Sequence, residues 1–298
     1  MIEVRQLVKK FDKFEVLKGL DLNVRRGSIY GLVGSNGAGK TTLLKLMAGV
    51  YRPDSGSIMV DGQPVFENNH VKENIIFIPD ELFYFNHYSI RETANFFRQV
   101  YPTWDENRFD ELFKVFGIDV KRRVTKLSKG MKRQVAFWLA LSVKPQVLIL
   151  DEPLDGLDPM VRSKVKKLLM ADVAEREMSI IISSHNLREL EDICDYMGIL
   201  HDGKIIIESE LDALKKGISK VQTAFPEGLP EELSRAGNVL YHEKRGSVYL
   251  LIMRGDEQDI KAQVQKFRPL LLDVLPLTFE EIFVYEMGGI GYDIRNIL

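Results

Sequence analysis

The sequence predicts an α/β fold built on a parallel sheet, and three observations carry that expectation. Apolar strand-length runs at 28–33, 147–150 and 179–184 alternate with helix-length amphipathic segments, the rhythm of βαβ units. The run Gly34-Ser35-Asn36-Gly37-Ala38-Gly39-Lys40-Thr41-Thr42 lies between the first of these strands and a helix, and it matches the phosphate-binding pattern G-x-x-x-x-G-K-[ST]. The strand Val147-Leu148-Ile149-Leu150 ends on Asp151-Glu152-Pro153, at the strand end where such a sheet presents its ligand site.

Along the chain, β-rich text comes first, with strands expected at 2–7, 20–24, 28–33 and 57–60, the last running into the Asp61-Gly62 turn. A helix follows the glycine loop over 42–48, with Leu43, Leu44 and Met47 at helical spacing and Gly49 as its stop. From about 82 to 143 the pattern changes to amphipathic helices at 90–101, 107–116 and 129–142, broken by Pro102 and Gly117, which reads as a helical insertion. Strands at 147–150 and 179–184 then alternate with helices at 161–176 and 187–196. A hairpin of 197–200 and 204–207 turns at His201-Asp202-Gly203, and a helix is expected over 209–216. Residues 218–298 read as an accessory domain. The order there is strand 220–225, helix 230–236, strand 238–243, strand 247–253, helix 257–267, strand 270–275 and helix 278–287, a βαββαβ run of ferredoxin-like type.

Composition is that of an ordinary globular protein. With 298 residues, 45% hydrophobic content and a net charge of -2, the chain is long enough for one large domain and a smaller one, and its charge gives no reason to expect nucleic acid as a partner. The single cysteine, Cys194, has no internal disulfide partner and reads as a packed small hydrophobe, which fits a reducing cytoplasm. The N-terminal MIEVRQLVKKF alternates apolar and charged residues rather than forming a signal-peptide core, and no run approaches the ~18 apolar residues of a membrane helix.

Each chemical motif has a physical reason. In the glycine loop the backbone curls so that successive N–H groups point at phosphates, helped by the positive end of the following helix. Lys40 is expected to reach the β and γ phosphates and the Thr41 hydroxyl to hold Mg²⁺. Asp151 is placed for Mg²⁺, directly or through water, and Glu152 for polarising the attacking water. Ser128 is a natural N-cap for the helix with Val135, Trp138, Leu139 and Ser142 on one face. His185 follows the apolar run SIIISS; alone it reads as a turn residue, and only the other motifs raise it to a γ-phosphate contact.

Together these residues resemble the ATP-binding subunits of ABC transporters, over about residues 1–215. The resemblance implies a P-loop NTPase of the ABC-ATPase fold, with an antiparallel β subdomain and the helical insertion, followed by the small α+β domain. It identifies GSNGAGKTT as Walker A, LSKGM as a variant of the signature LSGGQ, VLILDEP as Walker B, Asp155-Gly156-Leu157-Asp158 as the D-loop and His185 as the switch histidine. Phe11 falls where the family stacks an aromatic on adenine; Phe14 is a rival, and a core role in the first hairpin is the alternative. The phosphate contacts of the signature, Ser128 and Gly130, are retained, whereas Lys129 and Met131 depart from it in a way similar to bacterial exporter-type ATPases. Asp80, in Ile78-Pro79-Asp80-Glu81, stands where the family has its Q-loop glutamine and is still an oxygen ligand for Mg²⁺.

By resemblance the chain is an ATPase motor subunit, with ATP and Mg²⁺ as ligands, driving transport through a separate transmembrane permease and working peripherally on the inner face of the cell membrane. Two subunits, alike or different, pair head to tail in that family, so that ATP lies between Walker A of one and Ser128-Gly130 of the other. The aromatic cluster Phe83, Tyr84, Phe85, His87 and Tyr88 reads either as the permease docking patch or as core of the insertion. A soluble ATPase or a nucleotide-dependent regulatory switch are the alternative functions.

Overall fold

A computed structural model describes residues 1–211, 213, 217–275, 277, 278, 281, 282 and 285. The helix expected over 209–216 lies partly outside these residues, and that over 278–287 largely outside them. The chain divides into two compact units, Met1–Glu208 and Ser209–Leu298.

In the first unit, strands β1 (Ile2–Phe11) and β2 (Phe14–Val24) form an antiparallel hairpin, longer than the expected strands at 2–7 and 20–24. With β4 (Ser55–Val60) and β5 (Gln63–Pro64) they make a four-stranded sheet in the order β2-β1-β4-β5. Register sets Ile2 opposite both Val24 and Val60, and Val4 opposite Leu22 and Ile58, so one face is continuously apolar.

A six-stranded sheet runs in the order β10-β9-β3-β8-β7-β6, made of β3 (Ile29–Val33), β6 (Ile75–Ile78), β7 (Val147–Asp151), β8 (Ser179–Ser184), β9 (Tyr196–His201) and β10 (Lys204–Glu210). Strands β6, β7, β8, β3 and β9 are mutually parallel. Every residue of β3, β7 and β8 is buried, as expected of strands covered on both faces. Helix α1 (Lys40–Met47) joins one hydrophobic core with residues of both sheets through Leu43, Leu44, Leu46 and Met47, and the one-turn α2 (Asn69–Lys72) leads into β6.

Between β6 and β7 lies the helical insertion: α3 (Ile90–Val100), α4 (Glu106–Phe116) and α5 (Lys129–Ser142). Local chemistry sets its boundaries. Ser89 and Glu92 close a capping box on α3, Asp105 caps α4, and Gly117 ends α4 in the left-handed conformation at φ 63°. The fully buried Trp138 of α5 stacks on Phe109 of α4, ring centroids 4.7 Å apart, and its Nε1 donates to the Phe109 carbonyl at 2.8 Å.

Two expectations need correction. The helix expected over 187–196 is the short α7 (Leu187–Glu191), because Tyr196 pairs in parallel with Tyr30 and is taken by the sheet. Asp195 makes the transition, accepting the Ile29 amide on Oδ2 at 2.8 Å and donating its own to the Ile29 carbonyl at 2.9 Å. Cys194 therefore sits in that turn rather than a helix, although it is buried as expected. Strand β10 runs to Glu210, so it takes the first residues of the helix expected from 209. Helix α6 (Pro159–Arg176) follows β7 and is capped by Asp158. Among the described residues no helix is long and apolar enough to cross a membrane.

The second unit holds β11 (Ile218–Ala224), α8 (Glu231–Ser234), β12 (Val239–Arg245), β13 (Val248–Arg254), α9 (Glu257–Gln265) and β14 (Leu271–Leu275). Its sheet order, β12-β13-β11-β14, all antiparallel, is the split βαββαβ arrangement that the sequence pattern predicts. Val221, Leu251 and Met253 on the sheet and Ile260 and Val264 on α9 form its core.

Candidate nucleotide-binding site

The site grows from the carboxyl ends of β3, β7 and β8. Leaving β3, the chain passes Gly34, where a Cβ would lie 2.3 Å from the Leu200 carbonyl oxygen, so only glycine fits. Gly39, at φ 108°, is the N-cap of α1, which starts at Lys40 rather than at the expected Thr42. Lys40 is buried, and its Nζ donates to the Gly34 carbonyl at 2.6 Å and the Ser35 carbonyl at 3.2 Å. Burial lowers the pKa of the Lys40 ammonium, and the nearby Glu152 and Asp151 carboxylates oppose that shift.

Asp151, at the end of β7, is held on both oxygens by hydroxyls: Thr41 Oγ1 donates to Oδ2 at 2.7 Å and Ser183 Oγ donates to Oδ1 at 2.7 Å. Thr41 and Asp151 are hard oxygen donors in contact, which fits Mg²⁺ bound beside substrate phosphates. Glu152 adopts the left-handed region at φ 45°, and its amide donates to Ser183 Oγ at 3.0 Å. Its carboxylate meets His185, which approaches Oε2 with Nδ1 at 2.9 Å and with its amide at 3.3 Å. Glu152 Oε1 lies 4.0 Å from Lys40 Nζ.

Asn36, Gly37, Gly39, Lys40, Thr41, Thr42, Asp151 and Glu152 line one cleft of about 400 Å³, together with Phe11, Phe14, Val16 and Asp80. Phe11 and Phe14 face each other at the end of the first hairpin and are both exposed, so neither is core. Phe11 is braced edge-on by Tyr51 at 5.6 Å. Ser35 and Ala38 complete the loop, the Ala38 amide donating to the Ser35 carbonyl at 3.1 Å.

Ser128 and Gly130 are not brought to this cleft within the chain. Ser128 caps α5, its Oγ accepting the Met131 amide at 3.2 Å, and it is exposed. Gly130 packs against the D-loop, where a Cβ on it would lie 2.7 Å from the Gly156 carbonyl oxygen. The aromatic cluster is surface rather than core apart from the partly buried Tyr84: Phe83 is 84% exposed, and Phe85, His87 and Tyr88 are exposed too. Phe83, Tyr84 and Phe85 line a groove of about 300 Å³ with Phe96, Phe97 and Leu82.

Two residues of the site escaped sequence reasoning. Ser183 is fully buried between Asp151 and the Glu152 amide; the hydroxyls of SIIISS were visible, but their register against Asp151 was not. Arg133, one turn into α5, is 1% exposed and donates to the Pro79 and Asp80 carbonyls and to the Asp80 carboxylate.

Fold and site together define a P-loop nucleoside triphosphatase, with the glycine loop after β3 and the acids Asp151 and Glu152 at the end of β7 in the same sheet. Comparison with known proteins narrows the class. The profile of the ABC transporter family matches residues 17–155. The ABC transporter ATP-binding protein YtrB of Bacillus subtilis (strain 168) is 34% identical over 289 residues, 97% of this chain and 99% of that protein. The bacitracin transport ATP-binding protein BcrA of Bacillus licheniformis is 35% identical over 219 residues, 72% of each chain. A solved ATP-binding subunit of an ABC transporter aligns with a TM-score of 0.67 at 26% identity, over 72% of this chain and 92% of that one.

The chain belongs to the family of ABC transporter ATP-binding proteins. It is an ATP-binding and ATP-hydrolysing motor subunit of an ABC transporter. Membership implies ATP and Mg²⁺ as ligands, and a transmembrane permease and a second ATPase subunit as partners.

Proposed function

We propose that this subunit powers an exporter by closing on ATP together with a second ATPase subunit. The observation that carries the reading is a division within the chain: Walker A and Walker B residues line one cleft, with His185 on the Glu152 carboxylate, while Ser128 and Gly130 are not among the residues that line it. A second chain can supply those two residues to the γ-phosphate. ATP then forms part of the interface. Moving an open-closed equilibrium from 1:99 to 99:1 takes about 5.5 kcal/mol, or roughly 2.7 kcal/mol for each of two ATPs. A few charge-assisted hydrogen bonds per site, each worth about 1.5–3 kcal/mol, reach that figure.

In this reading Lys40 exchanges its loop carbonyls for the β and γ phosphates, and the loop amides surround them. Thr41 and Asp151 hold the Mg²⁺ that offsets phosphate charge. Phe11 stacks on the adenine. Glu152 accepts the proton of the water attacking the γ-phosphorus as the bond to the β-phosphate oxygen breaks, and His185 orients both Glu152 and the phosphate. Release of phosphate removes the contacts across the interface, and the pair reopens.

The exposed aromatic groove beside the insertion supports docking of the permease, since an apolar patch of this kind marks an interaction surface. Coupling to transport is supported by the likeness to BcrA and to the lantibiotic transport protein SrtF of Streptococcus pyogenes, 32% identical over 213 residues, and export as the direction by the LSKGM signature, which is similar to that of exporter-type ATPases. The test is Glu152→Gln, which should bind Mg-ATP, stop turning over and accumulate as a dimer. A variant that remains monomeric in saturating Mg-ATP rules out closure by the isolated subunit.

A further inference from the structure

Arg133 is a buried guanidinium on a helix whose other buried side chains, Ser142 apart, are apolar or aromatic. Its Nη1 donates to the Pro79 carbonyl at 2.8 Å, and its Nη2 donates to the Asp80 carbonyl at 2.9 Å and to Asp80 Oδ1 at 3.1 Å. One residue earlier, the Lys132 carbonyl accepts the Tyr84 hydroxyl at 2.9 Å, and burial keeps that phenol protonated by raising its pKa. The segment from Pro79 to Tyr84 is thus fastened to α5 at both ends.

That segment has two exposures. Asp80 lines the nucleotide cleft, while Pro79, Leu82, Phe83 and Tyr84 line the aromatic groove. The helix that grips it carries Ser128 and Gly130 at its start.

A guanidinium remains charged at any working pH, and a buried one needs a compensating charge. Asp80 supplies it. A glutamine at position 80 could accept the same hydrogen bond but would leave the Arg133 charge without a counter-ion.

We infer that Asp80 and Arg133 form a matched pair that locks the signature helix to the segment joining cleft and groove, Asp80 serving Arg133 rather than the metal. The aspartate in place of glutamine is then a consequence of Arg133. Any shift of the groove wall is carried by the guanidinium to the start of α5, and so to the residues offered to a second chain. This last consequence rests on the reading of Ser128 and Gly130 given above.

The test compares Asp80→Gln, Arg133→Gln and the double variant in the full chain, by urea unfolding. Asp80→Gln should lower the midpoint by about 0.5–1 M, because the buried charge loses its partner. Arg133→Gln should lower it in the wild-type background but raise it in the Asp80→Gln background. That reversal of sign is the signature of the pair. The same substitutions placed in Glu152→Gln protein are read by the Mg-ATP concentration giving half-maximal dimer. Asp80→Gln should raise it about tenfold, and the double variant should return it to within about threefold of its parent. Additive losses, or an Asp80→Gln protein indistinguishable from wild type in both assays, overturn the inference. A Glu152→Gln parent that fails to dimerise removes the functional reading alone, since the urea comparison still reports on the pair.

Discussion

Ser183→Ala removes one hydroxyl from the centre of the site and tests how Asp151, the last residue of β7, and Glu152 after it are held. The side chain donates to Asp151 Oδ1 at 2.7 Å and accepts the Glu152 amide at 3.0 Å, and it is fully buried. A hydrogen bond to a charged group contributes about 1.5–3 kcal/mol, and a buried amide left unpaired costs about 1–3 kcal/mol. Allowing for partial relaxation, the variant should lose about 2–4 kcal/mol of stability, little of it from packing because only one oxygen is removed. Catalysis should suffer separately. Glu152 holds a left-handed backbone at φ 45°, a conformation that costs about 1–3 kcal/mol and persists only when its surroundings enforce it. Without the Ser183 acceptor the carboxylate loses its fixed aim, and Asp151 loses the partner that turns its other oxygen to Thr41. Loss of such an outer-shell partner typically costs 10–100-fold in activity or metal affinity. The assay is steady-state hydrolysis at saturating ATP across a Mg²⁺ titration, at a temperature where circular dichroism shows the variant folded. The expected result is a kcat about 10–100-fold lower and a higher Mg²⁺ requirement. A kcat within twofold of wild type at an unchanged Mg²⁺ midpoint would refute the assignment.

Lys40→Ala should weaken ATP binding by about 10–150-fold, the worth of one charge-assisted contact, measured by fluorescence titration with a labelled nucleotide. Retention of wild-type affinity would place the phosphates elsewhere. For the adenine, Phe11→Ala should lower ATP affinity about 2–10-fold while sparing the affinity for inorganic triphosphate, as loss of one stacking contact requires. Phe14→Ala should have the smaller effect, because Phe11 is the ring braced by Tyr51. The opposite ranking would move the stacking role to Phe14.

Much of this protein is legible in its sequence. The glycine loop, the strand ending in Asp151-Glu152 and the cap Ser128 are local patterns, set by neighbours a few positions away. The apolar spacing over 187–196 suits a helix, whereas Tyr196 is claimed by pairing with Tyr30, a partner far along the chain. For the aromatic cluster, Phe83 to Tyr88, sequence left surface and core equally open. Crowded aromatics suit either, and only the packing of Phe85 against Tyr88 and Phe96 on the outside of the insertion decides.

The sequence by itself determined the motifs: a glycine loop of phosphate-binding pattern, a strand ending in two acids, and a signature run at the start of a helix. Tertiary structure decided who holds whom. Asp151 and Ser183 meet because parallel β7 and β8 align them in register, and Asp80 meets Arg133 because α5 packs against the end of β6. The physical reason is one of range. Turn, cap and loop geometry follow from backbone preferences over a few residues, whereas the partner of a buried hydroxyl or guanidinium depends on strand register and helix packing, which only the folded chain fixes.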